Sequence, residues 1–273
     1  TACEKSTTLI VRDWGLRAVI DRDSSDGIDA VINLLLEKLG VANENFTIHV
    51  DSKLPKGMGL GSSAAIVVAI TRAIVRCKGK DVDDEQINAI AFECEKLAHG
   101  TPSGIDNTIS CYASAMLFRK SDSLNIERLD ISERPPLVVA FSREPGLTRR
   151  QVAGVRERFD QNSTHYDAIF DQMGEMSIQG AKALRSRRYA ELGSLMNICH
   201  GLLNAIEVST PDLENMVALA RQSGAVGAKL TGAGGGGAMV ALCPGFEDQV
   251  RSALQQAGYT TLAVRSSNGA AID

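Results

Sequence analysis

Between Lys53 and Ala65 the chain reads Lys-Leu-Pro-Lys-Gly-Met-Gly-Leu-Gly-Ser-Ser-Ala-Ala, three glycines at alternating positions followed at once by a helical run. No other stretch limits the fold so tightly. Glycine lets the backbone take φ > 0 and approach a ligand without a Cβ in the way. At Ser62 and Ser63 a helix begins, and its first N–H groups, lacking acceptors within the helix, face back into the loop with the positive end of the dipole. Such a loop can hold phosphate. It is not a P-loop, since no Gly-Lys-Ser/Thr closes it, and its glycines do not fall as G-x-G-x-x-G. A glycine turn leading into a core helix is the purely structural alternative.

At 273 residues the chain can form one large or two medium domains with a substantial core. A net charge of −4 and an aromatic content of 4% give neither a polyanion footprint nor a base-stacking platform, which argues against nucleic acid as a partner. No apolar run reaches membrane-spanning length, and the first residues do not resemble a signal peptide. The six cysteines are scattered without a C-x-x-C pair, against both a disulfide framework and a zinc site. The reading is a soluble cytoplasmic protein without a membrane partner.

Strands are expected at Thr7–Trp14, Phe46–Val50, Ala115–Arg119, Leu137–Phe141, Val226–Leu230, Ala238–Leu242 and Thr260–Val264. Helices are expected at Ile28–Leu39, Ser62–Arg76, from a cap at Asp84 to Leu97, and at Ser103–Ala113. In the second half they are expected at Arg149–Asp160, Tyr166–Ser186, Tyr189–Ile206, Pro211–Ser223 and Glu247–Gly258. Pro135, Pro136 and Pro145 mark a change in character, so domains of 1–140 and 141–273 are expected.

Two further segments carry chemistry. In Glu95–Asn107 (Glu-Lys-Leu-Ala-His-Gly-Thr-Pro-Ser-Gly-Ile-Asp-Asn), Glu95 falls in the last turn of its helix, where the dipole disfavours a carboxylate and a bound cation would offset the cost. Ser103 can cap the helix holding Asp106, which places Asp106 in a first turn. The bland alternative is a solvated acid and an ordinary helix start. The segment Lys229–Gly237 (Lys-Leu-Thr-Gly-Ala-Gly-Gly-Gly-Gly) sets four consecutive glycines between two apolar strands, which suits close backbone approach or a tight turn. Two glycine loops and an acidic pair suggest phosphoryl transfer from a nucleotide, though spacing alone assigns no roles.

The sequence resembles the GHMP kinases (galactokinase, homoserine, mevalonate and phosphomevalonate kinases). The Gly-Leu-Gly-Ser-Ser-Ala-Ala run resembles their second signature and Lys229–Gly237 their third. His99–Asn107 is narrower and resembles mevalonate kinases, as does Leu195–Leu203 (Leu-Met-Asn-Ile-Cys-His-Gly-Leu-Leu). The resemblance implies an α+β fold of two domains: an N-terminal sheet-and-helix domain and a helix-rich, ferredoxin-like C-terminal domain, with the active site in the cleft between them.

It also implies ATP-dependent phosphorylation of the C5 hydroxyl of mevalonate, with ATP and Mg2+ as cofactors. Lys56, Gly57, Met58, Gly59, Leu60, Gly61, Ser62, Ser63 and Ala64 would wrap the ATP phosphates, with Thr148 and Gly232, Ala233, Gly234 and Gly235 on the other side. Ser63 and Glu95 would be the magnesium ligands and Asp106 the catalytic carboxylate. His99, Gly100, Ser103, Gly104 and Asp106 would line the substrate, His99 bracing the turn rather than catalysing. His49, His165 and His200 are read as surface or packing residues. A homodimer is implied as well.

One departure stands out. The family's first signature, an N-terminal strand with a lysine followed by Phe-Gly-Glu-His, has no counterpart before Thr7. In the family that lysine pairs with the catalytic aspartate, so an N-terminally truncated chain of impaired activity is expected. The competing functions are another GHMP small-molecule kinase, acting on phosphomevalonate or homoserine, and a non-catalytic nucleotide- or metabolite-binding protein on the same scaffold.

Overall fold

A computed structural model of the chain describes residues 6–52, 58–100, 102–120, 124–146 and 148–263. By its internal contacts the chain divides into two units, one of Thr1–Lys56 with Gly61–Ser114, the other of Gly57–Leu60 with Ala115–Asp273.

In the first unit, strand β1 (Thr8–Val11) lies between β2 (Leu16–Val19, antiparallel) and β3 (Thr47–Val50, parallel). Helices α1 (Gly27–Lys38), α2 (Ser62–Lys78), α3 (Asp84–His99) and α4 (Ile105–Tyr112) complete it. Leu9 and Val11 of the sheet are buried with Leu35 and Leu36 of α1, Val68 and Ile74 of α2, and Ala91 and Cys94 of α3. The strand expected over Thr7–Trp14 stops at Val11, where a 3₁₀ turn (Arg12–Trp14) and Gly15 at φ +60° reverse the chain into β2. Asp83, not Asp84, caps α3. Its carboxylate accepts the Gln86 N–H while the Gln86 side chain accepts the Asp83 N–H, a reciprocal capping box. Nor does Ser103 stand at the N-cap of α4. Gly104 does, and the Ser103 hydroxyl accepts the Ile105 N–H at 3.3 Å from one residue further out.

The second unit contains a hairpin of β4 (Met116–Lys120) and β5 (Leu124–Arg128). Its four-stranded sheet has β6 (Leu137–Phe141), β7 (Gly227–Thr231), β8 (Ala238–Leu242) and β9 (Thr260–Ala263) in the order β7-β8-β6-β9, every pair antiparallel. That order is the ferredoxin-like pattern, with α5 (Thr148–Gln161), α6 (Ser163–Arg185), α7 (Tyr189–Ala205) and α8 (Pro211–Gln222) inserted in its first crossover and α9 (Glu247–Gln256) forming the second. Val138, Leu213, Met216, Leu230, Met239, Val250 and Leu254 make its core.

The long segment of this unit starts at Ala115, ahead of the boundary expected at 140/141, and β6 belongs to it as an inner strand paired with β8 and β9. The prolines precede this strand and do not end a domain. Pro136 has no N–H to offer the sheet, but its carbonyl accepts the Cys243 N–H at 2.8 Å.

Among the described residues no helix is long and apolar enough to cross a membrane, and all five described cysteines are free thiols.

Candidate active site

Three helices of the first unit bring the predicted acids together. Ser63 stands in the first turn of α2, Glu95 and His99 in the last turn of α3, and Asp106 in the first turn of α4. Glu95 is only 5% exposed, and its carboxylate accepts the Ser63 hydroxyl at 2.8 Å and lies 3.7 Å from His99 Nε2. The solvated-acid alternative thus fails for Glu95.

Gly61, at φ +65°, precedes the helix, and a Cβ there would stand 3.1 Å from the Asp106 carboxyl. Only glycine lets the loop pass this close. Asp106 itself reaches solvent, yet surrounding atoms crowd its carboxyl and raise its pKa above the ordinary value, against the pull of His99. Beneath it α4 is pinned: the buried Asn107 amide donates to Asn88 Oδ1 at 2.7 Å and Thr108 to the Gly104 carbonyl at 2.7 Å.

The start of α2 offers backbone donors beside these acids. Its first bond runs from the Ala65 N–H to the Gly61 carbonyl, so the Ser62, Ser63 and Ala64 N–H groups precede the helical ladder. No acidic residue occupies that turn, and its N-cap, Gly61, has no side chain to cap it. Ala64, predicted to touch phosphate, is fully buried, backbone included, so Ser62 and Ser63 are the residues of this turn that reach the surface.

The second unit presents the other glycine loop, Gly232–Gly237, between β7 and β8. It is packed against protein backbone. The Gly235 N–H donates to the Val208 carbonyl at 2.8 Å and the Gly237 N–H to the Glu144 carbonyl at 2.9 Å. A Cβ on Gly234, at φ +78°, would collide with the Val208 carbonyl. Within this unit the Gly59 carbonyl stands 3.1 Å from where a Gly232 Cβ would be, and the Met58 carbonyl equally close to that of Gly237. The two glycine runs, distant in sequence, are therefore neighbours.

Comparison with known proteins gives this geometry a family. Residues 27–115 match the GHMP kinases N terminal domain and residues 181–260 the GHMP kinases C terminal domain. The mevalonate kinase of Thermococcus onnurineus is 37% identical over 242 residues, covering 87% of this chain and 71% of that protein. That of Methanothermobacter thermautotrophicus is 36% identical over 257 residues, covering 94% and 83%. This chain is a member of the mevalonate kinase family of GHMP kinases. Among solved structures, L. major mevalonate kinase in complex with R-mevalonate superposes with a TM-score of 0.79 at 30% identity, over 88% of this chain and 76% of that one.

Within this kinase the structure brings together Ser63, Glu95, His99, Asp106 and Gly61 in one unit, and Met58 and Gly59 with Gly232 and Gly237 in the other. Gly100 ends α3 at φ +84°, and Ser103 spends its hydroxyl on the local turn. Lys56, Gly57 and the side chain of Thr148 lie outside the described residues.

Sequence reasoning gave Asn197 and His200 of α7 no place in the site. His49 and His165 are surface residues and His200, 3% exposed with both ring nitrogens facing polar groups, is a packing residue, each within the alternatives expected. The available signal was two polar residues three apart on an otherwise apolar helix face.

Proposed function

We propose that this kinase transfers the γ-phosphoryl group of ATP to the C5 hydroxyl of mevalonate, with Asp106 as its catalytic carboxylate. The convergence of Ser63, Glu95, His99 and Asp106 on the mouth of α2 is the observation that carries the reading. The hydroxyl oxygen attacks the γ-phosphorus, the bond to the β,γ-bridging oxygen breaks, ADP leaves, and the hydroxyl proton passes to Asp106. A carboxylate that orients the hydroxyl and accepts its proton late is enough, because such transfer depends on positioning more than on a strong base. The N–H groups of Ser62 and Ser63 would cradle phosphate oxygens, and Gly232–Gly235 would contact the nucleotide as well.

The residues present also fit a magnesium ion. The cis oxygens of an octahedral Mg2+ with bonds of 2.0–2.1 Å stand about 2.9 Å apart, and Ser63 Oγ and Glu95 Oε1 are 2.8 Å apart. Together they would hold the ion, which would neutralise charge on the phosphates. A homodimer working in the cytoplasm belongs to the same proposal.

Release of ADP on adding mevalonate tests it. The expected result is mevalonate-dependent release that Asp106→Asn lowers by about 100- to 10,000-fold. Homoserine or phosphomevalonate turned over at least about tenfold better than mevalonate, a step of about 1.4 kcal/mol in the barrier, would overturn the substrate.

A further inference from the structure

Strand β7 is an edge strand whose only strand neighbour among the described residues is β8. An unpaired edge normally invites another strand, yet its outward groups are answered one by one. The Asn197 side chain donates to the Val226 carbonyl at 3.2 Å and accepts the Ala228 N–H at 3.1 Å. His200 Nδ1 accepts the Leu230 N–H at 3.3 Å. Arg221 donates to the Ala228 carbonyl at 2.7 Å, and Lys229 to the Leu230 carbonyl at 2.7 Å. Helix α7 thus stands where a fifth strand would.

It comes this close because two glycines meet. A Cβ on Gly193 would stand 2.5 Å from the Val226 carbonyl, and one on Gly227 would strike the Gly193 carbonyl. Gly193, Asn197 and His200 are spaced i, i+4, i+7, one face of a helix.

The arrangement continues to the glycine loop. Because Nδ1 accepts, the neutral ring carries its hydrogen on Nε2, which lies 3.0 Å from Glu214 Oε1. The same carboxylate oxygen takes the Ser209 hydroxyl at 2.5 Å. Ser209 follows Val208, whose carbonyl holds the Gly235 N–H. His200 therefore grips β7 one residue before Thr231, where the loop departs. Glu214, close to Nε2 but not aligned for a hydrogen bond with it, holds through Ser209 the connector that fastens the loop's middle.

We propose that Asn197 and His200 are positioning residues for the nucleotide: by replacing a strand at the β7 edge they fix where the backbone of Gly232–Gly237 points. The inference rests on the reading of that loop as part of the ATP site. A lost acceptor at His200 leaves the Leu230 N–H unsatisfied inside the protein, a cost borne next to the loop. Glutamine can restore the grip on β7, its oxygen accepting from Leu230.

Three variants of the full chain test the proposal, His200→Ala, His200→Gln and, as a control on the same helix, Ile198→Ala, whose parent side chain is 49% exposed. In His200→Ala the affinity for MgADP by titration calorimetry should fall about tenfold, the scale of one unsatisfied buried donor. KM for ATP should rise to match while KM for mevalonate holds. Hydrogen exchange should quicken at 228–237 ahead of the rest of the unit. His200→Gln should recover most of each loss, and Ile198→Ala should change none. A uniform rise in exchange with unchanged MgADP affinity would reduce His200 to a packing residue and overturn the proposal, as would a glutamine variant as weak as alanine. If His200→Ala does not fold, the glutamine variant with Asn197→Asp, which keeps the acceptor for Ala228 and loses the donor to Val226, decides between the same outcomes. Should the parent chain fail to phosphorylate mevalonate, the functional reading falls, while MgADP affinity and exchange still judge this one.

Discussion

The two glycine-rich runs look alike in sequence and behave differently in the structure. The run ending at Gly61 opens into α2 with three N–H groups ahead of the helical ladder and no acidic residue within that turn. Its chemistry is that of a donor. The run Gly232–Gly237 spends N–H groups of Gly235 and Gly237 on protein carbonyls and admits no Cβ at Gly234. Its chemistry is that of shape, backbone packed on backbone. A string of glycines can thus mean free donors or close approach, and the residues it packs against decide which.

The largest effect that would break this comparison is at Asp106, the group nearest the first loop. Asp106→Asn is expected to lose most of the turnover while the fold stays intact. Gly61→Ala should come next. A Cβ pressing on Asp106 misplaces the carboxylate, and kcat should fall about 100-fold, while the left-handed backbone costs about 1–2 kcal/mol of stability. Gly234→Ala should invert that ratio, losing about 2–5 kcal/mol from combined backbone strain and overpacking. Denaturant titration beside steady-state kinetics reads both. If Gly234→Ala is as stable as the parent, the second loop is not held by shape.

A smaller effect separates the acids of the first unit. Glu95→Gln should raise the magnesium needed for half-maximal activity by at least about tenfold, leaving kcat at saturating metal less affected than Asp106→Asn does. Equal magnesium dependence in variant and parent would remove Glu95 from the metal.

The smallest effects lie in pH, and they have opposite signs in the two units. Burial holds the pKa of His200 below its ordinary 6.5, Arg221 and Lys229 adding to the shift and Glu214 opposing it. The unfolded chain then takes the proton first, so stability contributed here is complete above about pH 6.5 and drains away as pH falls toward the folded pKa. His200→Gln should flatten that slope in acid denaturation. Asp106 is raised instead, chiefly by desolvation. Its ionisation costs the fold stability as pH climbs from the ordinary 3.8 through the raised value, so Asp106→Asn should be slightly more stable than the parent at neutral pH. A lower melting temperature for that variant at pH 7 would contradict the crowding of its carboxyl.

Much of this was legible in order along the chain. Strands β6 and β8 fall where their apolar runs end, and α8 begins at Pro211 behind the Thr210 cap, because each signal is local. Strands β2 and β5 were not anticipated. They are short, Leu-Arg-Ala-Val and Leu-Asn-Ile-Glu-Arg, and pair with a neighbour rather than advertise an apolar face. The prolines before β6 resembled a linker because their composition is that of one, while the pairing that makes β6 an inner strand comes from residues about 100 positions later.

The sequence by itself determined the phosphate-loop pattern, the acids at Glu95 and Asp106, and the family they announce, since these depend on residue type and spacing within one short segment. Only the tertiary structure decided that Ser63 meets Glu95 across two helices, that Asp106 lies against Gly61, and that α7 closes the β7 edge through Asn197 and His200. Those contacts join residues 29 to 45 positions apart. Their energy depends on burial and direction, neither of which a local pattern carries.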